Sequence, residues 1–467
     1  MRYIKSFLLI ALTVGIVSCD VLDQSPRQNI DSEEVFTSQQ GALNALRGVY
    51  GGLQGPIQEH LMFTELMSPN AGHSGSFPTW GEINNLNVLT NNVTASNFWR
   101  DMYNVVNRAN NVIAYVPQVE DEAFTQAQRN AAIGEAHVLR AYVFFSLAKF
   151  YANNELGIPL PTSPTVVISE DNNIPRATLQ ATYNQIESDL LGAIDLLDGT
   201  KAISPAASTV NAHVARALLA RVYLHGADLG VFPNGYAQAR DYSAAVINSA
   251  VYTLSPSYRD IFQGSQGNAE VIWELVYSSE DSNSLSFYAR PNGQGGRREY
   301  APTGGYFGLF APGDTRSPVN VMFVNPENDQ PFAAAILGKY YRIDGSDNIA
   351  VIRLAEMMLV HAEALAHTDF AGEGRAALDL VNDLRVRAGV APYDFDTDVT
   401  SVDDLLEIIW LERRLELGLE GHAWHDFNRT GRAVSELGVN PNMTRWPIPE
   451  REMDVNPGLA GQQNPGY

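Results

Sequence analysis

The chain has 467 residues, of which 45% are hydrophobic and 18% are charged, a composition typical of a globular protein with a large core. Its 53 acidic residues outnumber 31 basic ones, giving a formal net charge of −22. This balance argues against nucleic-acid binding and against recruitment to anionic lipid, because both need a basic surface. A single cysteine excludes an intrachain disulfide.

The N-terminus carries the signals of an exported lipoprotein. Two basic residues precede an apolar run over 7–17 that is too short to span a bilayer comfortably. The sequence IVSC at 16–19 then resembles a bacterial lipobox, with the only cysteine at the acylated position. We predict a signal peptide over 1–18 and lipidation of Cys19, which would anchor the mature chain to a membrane. The alternative is an ordinary secretory signal with an incidental cysteine.

Helical periodicity dominates the chain after a short polar segment at 20–35. Apolar residues recur at three- and four-residue intervals over 39–53 and 96–116, which predicts two amphipathic helices. A further helix is predicted from 402 to about 421. Three segments between them repeat a helix–turn–helix unit, pairing 133–151 with 178–198, 212–224 with 237–248, and 349–366 with 371–388.

The opening helix of each repeat carries alanine where helices would approach closely, as at Ala136, Ala215 and Ala355. One helix pair cannot bury its apolar face alone, so neighbouring pairs stack. We predict a mainly α fold, with a tetratricopeptide-like helical-repeat scaffold, long irregular loops and minor β structure. Residues 19–467 are expected to form a single domain, with a helical-repeat part over 19–260 and a loop-rich, C-terminal helical part over 261–467.

Long polar stretches that contain glycine and aromatic residues lie between the helices, at 66–95, 152–175, 253–270 and 278–347. Loops of such length in a compact domain are usually functional. We therefore expect the repeats to support the loops and the loops to bind a ligand.

Several separated segments resemble the SusD/RagB family. The sequence ERRLELGLEGHAWHDFNRTG at 412–431 is close to the family's most specific motif. The sequence IPR at 174–176 is similar to the family's stretch after its first long loop. WPIP at 446–449 and QNPGY at 463–467 resemble its usual C-terminus. The resemblance covers essentially the whole mature chain.

The resemblance implies a lipid-anchored outer-membrane protein, exposed at the cell surface, that captures an oligosaccharide or polysaccharide and delivers it to a SusC-like TonB-dependent transporter. It implies no catalysis, and we expect no cofactor and no metal. Some family members handle peptides, so a peptide- or protein-uptake lid is the alternative. A surface glycosidase is a further alternative, although the sequence offers no convincing carboxylate pair.

Two loops, 70–92 and 283–307, have the chemistry that recognises sugars. Apolar faces of sugar rings stack on aromatic side chains, while hydroxyls pair with amides, carboxylates and guanidinium groups. We expect Trp80 to stand on a loop with little core to hold. The candidates for glycan contact are His73, Phe77, Trp80, Asn84, Asn85, Tyr288, Arg290, Asn292, Tyr300 and Tyr306.

Three glutamates in the family motif have a structural explanation that we favour over catalysis. Glu412, Glu416 and Glu420 lie four apart on one predicted helix, where they cannot easily face each other across a sugar bond. Arg413 and Arg414 offer local salt-bridge partners.

Two metal-like patterns also have simpler explanations. His422, His425 and Asp426 have helical spacing suited to metal ligands, but we favour an interhelical hydrogen-bond cluster. The acidic residues at 394–398 imitate the start of a calcium loop without its glycine at position six or its glutamate at position twelve. We therefore expect an acidic turn before a helix.

Overall fold

A computed structural model describes residues 35–167, 169–264, 267–324 and 331–467. The predicted signal peptide and Cys19 lie outside these residues. Helices predominate over short strands, so the predicted mainly α scaffold is confirmed. No helix in the described ranges combines the length and the apolar character needed to cross a bilayer.

The helices follow one another with few strands between them. In chain order they are α1 (Gln39–Leu66), α2 (Pro78–Asn84), α3 (Val93–Tyr115), α4 (Gln126–Tyr151), α5 (Leu179–Leu197), α6 (Ala212–Asp228), α7 (Gly235–Ile247), α8 (Tyr258–Gln263), α9 (Leu285–Ala289), α10 (Gly304–Phe307), α11 (Ser317–Asn320), α12 (Leu354–Arg387), α13 (Phe395–Asp398), α14 (Val402–Glu416), α15 (Ala423–Arg429), α16 (Arg432–Ser435) and α17 (Glu450–Val455). The strands are β1 (Ala71–Gly72), β2 (Val271–Leu275), β3 (Ala301–Pro302), β4 (Val321–Val324), β5 (Pro331–Leu337) and β6 (Ile349–Arg353). They form three antiparallel two-stranded sheets, β1 with β3, β2 with β6 and β4 with β5.

The long helices pack as successive pairs. Helix α1 packs on α3, α4 on α5, and α6 on α7, while α3–α4 and α5–α6 contacts join one pair to the next. Helix α12 is interrupted at Asp369, whose φ of −156° and ψ of 69° are not helical, so it supplies both helices of the third predicted repeat. It packs against α7 and α14, which continues the stack.

Small residues allow the helices to approach closely, as predicted. The side chains of Ala136, Ala215 and Ala355 are completely buried. A Cβ atom added at Gly134 on α4 would lie 2.8 Å from the Leu197 side chain on α5. Larger side chains at such contacts would overpack the interface.

Two predicted helix boundaries are wrong. Residues 349–353 were expected to begin a helix, but they form β6 and pair with β2, because their β-branched side chains are buried in this sheet. The helix expected to reach about residue 421 ends at Glu416. Leu419 and Gly421 after it have φ values of 67° and 86°, which are left-handed and incompatible with a continuing helix.

Among the described residues, the largest hydrophobic core extends from Ala42 on α1 to Leu459 near the C-terminus, and two small clusters around Tyr258 and Met322 accompany it. The irregular segments between the repeats pack against this core through buried aromatic residues, including Tyr300, Tyr306 and Tyr340. The scaffold thereby fixes the positions of the loops that the sequence suggests as ligand-binding.

Candidate functional site

The two loops that the sequence marks as ligand-binding lie side by side. Strand β1 from the first loop pairs antiparallel with β3 from the second. Beyond the strands, Thr303 donates its backbone N–H to the Asn70 carbonyl at 2.9 Å and its hydroxyl to the Pro69 carbonyl at 2.6 Å. The segments 70–92 and 283–307 therefore form one continuous surface, joined by backbone hydrogen bonds.

A buried carboxylate, Glu299, locks the two loops together. It accepts the backbone N–H groups of Ser76 and Phe77 at 2.9 and 3.0 Å, and Arg297 donates to it at 3.3 Å. Burial alone would raise the pKa of Glu299, but these donors hold it below its ordinary value, so the group stays ionised. His73 adds a contact from its Nδ1 to the Glu299 carbonyl oxygen at 3.0 Å.

Four aromatic rings meet on this surface, and we call Phe77, Trp80, Phe287 and Tyr288 the aromatic platform. The Tyr288 ring centroid lies 4.9 Å from that of Trp80, 5.4 Å from Phe287 and 6.2 Å from Phe77. The guanidinium carbon of Arg297 lies 4.2 Å from the Phe77 centroid. Phe287 is 46% exposed, while Phe77 and Tyr288 are half-buried. These three rings offer apolar faces to a ligand.

Trp80 does not stand on a loop, so that expectation is wrong. It belongs to helix α2 and is only 6% exposed. Its ring is enclosed by Phe63 of α1 at 5.3 Å, by Phe77 at 5.7 Å and by Tyr288. Trp80 joins the platform to the helical core and presents little surface of its own.

Three more candidates are buried, and the expectation that they face a ligand is wrong. Tyr300 and Tyr306 have no exposed surface, because their rings pack into the hydrophobic core. Arg290 is 3% exposed; it donates to Ser286 Oγ at 2.8 Å and to the Tyr341 carbonyl. These side chains stabilise the second loop from inside.

The polar candidates differ in exposure: some side chains are hydrogen-bonded within the protein, and others face the solvent. The Asn84 amide donates to the Leu66 carbonyl at 2.7 Å and accepts the His73 N–H at 3.2 Å. Asn85 and Asn292 are exposed. Ligand contact by these residues stays a prediction, with Asn85 and Asn292 the more accessible.

The candidates for glycan contact omit two exposed aromatic features. Phe287 was overlooked beside Tyr288, although two consecutive aromatic residues on a short helix necessarily point in different directions. Phe307 and Phe323, which we call the phenylalanine pair, have ring centroids 5.4 Å apart and are 42% and 48% exposed. Phe323 lies on β4, and no local pattern indicated that it would meet Phe307.

A buried carboxyl group lies close to the platform. Glu59 is one helical turn before Phe63 on α1, and Glu59 Oε2 is buried without a hydrogen-bond partner among the described residues. Burial and the nearby Asp101 carboxylate raise the pKa of Glu59 to about 7, opposed by Arg100. The Glu59 charge in turn helps raise the pKa of Tyr288, after burial.

The glutamates of the family motif form a buried ion network. Glu416 receives Arg353 Nη1 at 3.0 Å and Arg387 Nη2 at 2.5 Å, and a third cation, Arg316, lies at 3.3 Å. Burial opposes its ionisation, yet these three guanidinium groups hold the pKa of Glu416 well below its ordinary value. Its oxygens are fully engaged, which supports a structural role.

The predicted local partners of these glutamates are wrong. Glu412 contacts Arg316, and Glu420 accepts Lys339 Nζ at 2.5 Å. Arg413 instead contacts Asp426 at 3.1 Å, and Arg414 donates to Asn70 Oδ1 at 2.8 Å. The reason is that arginines from elsewhere in the chain already occupy the Glu416 carboxylate, namely Arg316, Arg353 and Arg387. Glu420 also lies beyond the end of α14, in the following turn.

His425 and Asp426 of the motif contact other helices, although His425 Nδ1 is buried without a hydrogen-bond partner among the described residues. Asp426 contacts Arg413 at 3.1 Å and Arg429 at 2.8 Å, and His425 Nε2 lies 3.3 Å from Thr64 Oγ1. Burial, followed by the charge of Lys149, lowers the pKa of His425 well below its ordinary value. The contacts fit the predicted interhelical cluster.

One group of side chains in the described ranges has the spacing of metal ligands, namely Asp228, Glu363 and His367. Arg429 already contacts both carboxylates, at 2.5 Å for Asp228 and 2.6 Å for Glu363. A guanidinium therefore occupies the oxygens that a cation would need. In the acidic turn, Asp394 caps the short helix α13 through its side chain.

The comparisons with known proteins agree with this architecture. A family model for "Starch-binding associating with outer membrane" matches residues 20–224, and the model of the "SusD family" matches 335–443. The SusD-like protein P38 of Formosa agariphila is 25% identical, with 98% of each chain covered.

Solved structures share the fold at lower identity. A SusD superfamily protein from Parabacteroides distasonis superposes with a TM-score of 0.78 at 22% identity, covering 94% of this chain and all of the other. Surface glycan-binding protein A from Bacteroides thetaiotaomicron, in complex with laminarihexaose, gives 0.73 at 20% identity, covering 92% of this chain and all of the other. With its motif at 412–431, its stacked helix pairs and these end-to-end matches, the chain belongs to the SusD/RagB family.

Proposed function

We propose that this protein is a non-catalytic glycan-binding lipoprotein of the outer membrane. It would capture an oligosaccharide or polysaccharide at the cell surface and deliver it to a SusC-like TonB-dependent transporter. The observation that carries the proposal is the aromatic platform, where three solvent-accessible rings stand on two loops that Glu299 holds in place.

The chemistry of the platform suits neutral sugars. The faces of Phe77, Phe287 and Tyr288 offer apolar surface for the C–H faces of sugar rings. The exposed amide of Asn85 lies on the first loop and offers hydrogen bonds to hydroxyl groups, whereas the exposed Asn292 donates its amide N–H groups to the Gly296 and Arg297 carbonyls of its own loop at 3.1 Å. An acidic chain with a net charge of −22 does not favour a polyanionic glycan.

The relatives support a glucan as the first ligand to test. One family model is described as starch-binding, and one structural neighbour is a surface glycan-binding protein in complex with laminarihexaose. Another neighbour is a laminarin-binding SusD-like protein. Laminarihexaose and maltoheptaose are therefore suitable probes of β- and α-linked glucose chains.

Anchoring and domain organisation complete the proposal. Acylation at Cys19, after cleavage of residues 1–18, would tether residues 19–467 as a single domain above the bilayer. The continuous hydrophobic core from Ala42 to Leu459 supports this single-domain organisation. The two predicted parts, 19–260 and 261–467, would then belong to one folding unit.

Isothermal titration with laminarihexaose and maltoheptaose tests the site. Phe287→Ala should weaken binding of the preferred glucan by roughly five- to a hundred-fold, the equivalent of about 1–3 kcal/mol for one stacking ring. Phe323→Ala is the matched control, because this phenylalanine is exposed to a similar degree, 48% against 46%, in the phenylalanine pair. Loss of binding in Phe323→Ala alone would move the glycan site to the phenylalanine pair.

Two alternatives are tested with the same protein. Retention of peptides from a tryptic digest of casein, with no binding of either glucan, would favour a peptide-uptake lid. Release of new reducing ends from the glucans would favour a glycosidase, and Glu59 beside the platform would be the first carboxyl group to replace.

A further inference from the structure

A second recess opens on a part of the surface that the aromatic platform does not line. It has a volume of about 400 Å³ and lies between the segment after α4, the end of α15 and the C-terminal segment. We call it the asparagine recess, because Asn153, Asn154, Asn442 and Asn464 line it together with Arg445 and Glu155.

Arg445 is held in a fixed orientation by its Nη1, while the three N–H donors on its Nε and Nη2 are unused by the described residues. Its Nη1 donates to Asn428 Oδ1 at 2.8 Å and to Thr444 Oγ1 at 2.7 Å. Among the described residues, its Nε and Nη2 meet no acceptor, and no carboxylate forms an ion pair with it. Neither atom is among the buried atoms that lack a partner, so both have access to the recess or the solvent.

Arg445 differs from several buried arginines of this protein in having no carboxylate partner among the described residues. Arg316, Arg353 and Arg429 each contact at least two carboxylates. Burial lowers the pKa of Arg445, opposed by the phenol of Tyr183 and by no acidic side chain. Such a cation gains from any oxyanion that reaches it, because the guanidinium fork binds two oxygens at once.

Polar groups beside Arg445 extend the site beyond a single ion. Asn153 donates to Asn464 Oδ1 at 2.9 Å, which fixes one wall. The exposed side-chain amides of Asn154 and Asn442 make no hydrogen bond with described residues. They are placed to pair with hydroxyl groups.

We propose that the asparagine recess binds an oxyanion on Arg445, in the form of a carboxylate, sulfate or phosphate group carried by a small polyhydroxylated molecule such as an acidic sugar. An inorganic oxyanion offers the same charged group without the hydroxyls. Only the acidic-sugar source rests on the proposed glycan-capturing function. The anion site itself does not.

The test uses sodium sulfate, sodium glucuronate and glucose as probes, titrated calorimetrically into the purified protein at constant ionic strength. We expect sulfate and glucuronate to bind and glucose not to bind. Arg445→Gln should weaken both anions by about tenfold or more, and Arg445→Lys should rescue only part, because lysine keeps the charge but lacks the fork.

Two further variants, Glu155→Gln and Asn442→Ala, should not disturb folding, because the side chains of Glu155 and Asn442 make no hydrogen bond with described residues. Glu155 places an exposed carboxylate beside the recess, so Glu155→Gln should tighten anion binding by roughly two- to fivefold. Asn442→Ala should weaken glucuronate and leave sulfate unchanged if an acidic sugar is the ligand. Equal binding of sulfate and glucuronate, insensitive to Asn442→Ala, would identify an inorganic oxyanion instead.

Three outcomes would overturn the proposal. If glucose bound as tightly as glucuronate, recognition in the recess would depend on hydroxyl groups and not on the anionic group. The absence of sulfate and glucuronate binding to the wild-type protein would remove the site. Unchanged anion affinity in both Arg445→Gln and Glu155→Gln would place any anion elsewhere. None of these outcomes affects the glucan titrations at the aromatic platform.

Discussion

Replacement of Trp80 by alanine tests whether this ring supports the aromatic platform from inside or contacts the ligand directly. Trp80 is a core residue that supports the exposed rings of the platform. Its side chain is 6% exposed and contacts Phe63, Phe77 and Tyr288, with ring centroids 4.9–5.7 Å away. Trp80→Ala would therefore open a cavity between helix α1 and the two loops.

The size of the effect follows from this burial. Truncation of a buried tryptophan to alanine costs about 3–5 kcal/mol through lost apolar burial and the cavity that remains. Each of the three ring–ring contacts adds about 0.5–1.5 kcal/mol to the area term, which favours the upper part of that range. Phe287→Ala should cost only roughly 1 kcal/mol, because nearly half of this side chain is already exposed at 46%.

Urea unfolding followed by far-UV circular dichroism measures both free energies, and glucan titration of the same variants measures affinity. Trp80→Ala should lose stability and affinity together, whereas Phe287→Ala should lose mainly affinity. Trp80→Phe, which keeps an aromatic ring against Phe63, should recover more than half of the lost stability. A Trp80→Ala protein with wild-type stability and no glucan binding would refute the reasoning, since it would make Trp80 a free ligand contact.

Three further predictions concern the anchor, the ion network and pH. Cys19→Ala should abolish acylation and release the protein from membranes; membrane-bound, acylated variant in cell fractions would contradict the lipobox interpretation. Glu416→Gln should lower the unfolding free energy by about 3–5 kcal/mol, because Arg353 and Arg387 lose a buried counter-charge, and a urea-measured loss below about 1 kcal/mol would contradict it. The pKa of Glu59 is raised from 4.5 to about 7 in the folded state, so the folded protein binds the extra proton and stability should fall as pH rises between these values. Glu59→Gln should flatten that part of the stability profile, and an unchanged slope would exclude Glu59 as its origin.

The repeat scaffold was readable from sequence because helical periodicity and alanine spacing are local signals. Ala136, Ala215 and Ala355 are completely buried, where the pattern placed them. The strand at 349–353 was not readable as a strand, because its identity depends on pairing with β2 much earlier in the chain. The end of α14 was missed because the left-handed residue that follows it is Leu419, which carries no such signal.

The candidate site was only partly predictable. Composition alone pointed to the two loops, but it could not tell which rings face solvent. Phe63 on α1 decides that Trp80 is buried, and the core decides the same for Tyr300 and Tyr306. Neighbouring positions such as Phe287 and Tyr288 differ in exposure through tertiary packing that no short pattern contains.

The geometry of the aromatic platform depends on a residue that a ligand on the rings would not need to touch. Glu299 is fully buried and binds backbone N–H groups of the first loop, while it belongs to the second loop itself. Because its pKa is lowered, it stays ionised and keeps these charge-assisted bonds across the neutral range. The loops are therefore held in place without a ligand, and a glycan on the rings would not have to supply the entropy of fixing them. Among polar residues of the loops, Glu299 is thus more important for the geometry of the rings than the exposed amides around them.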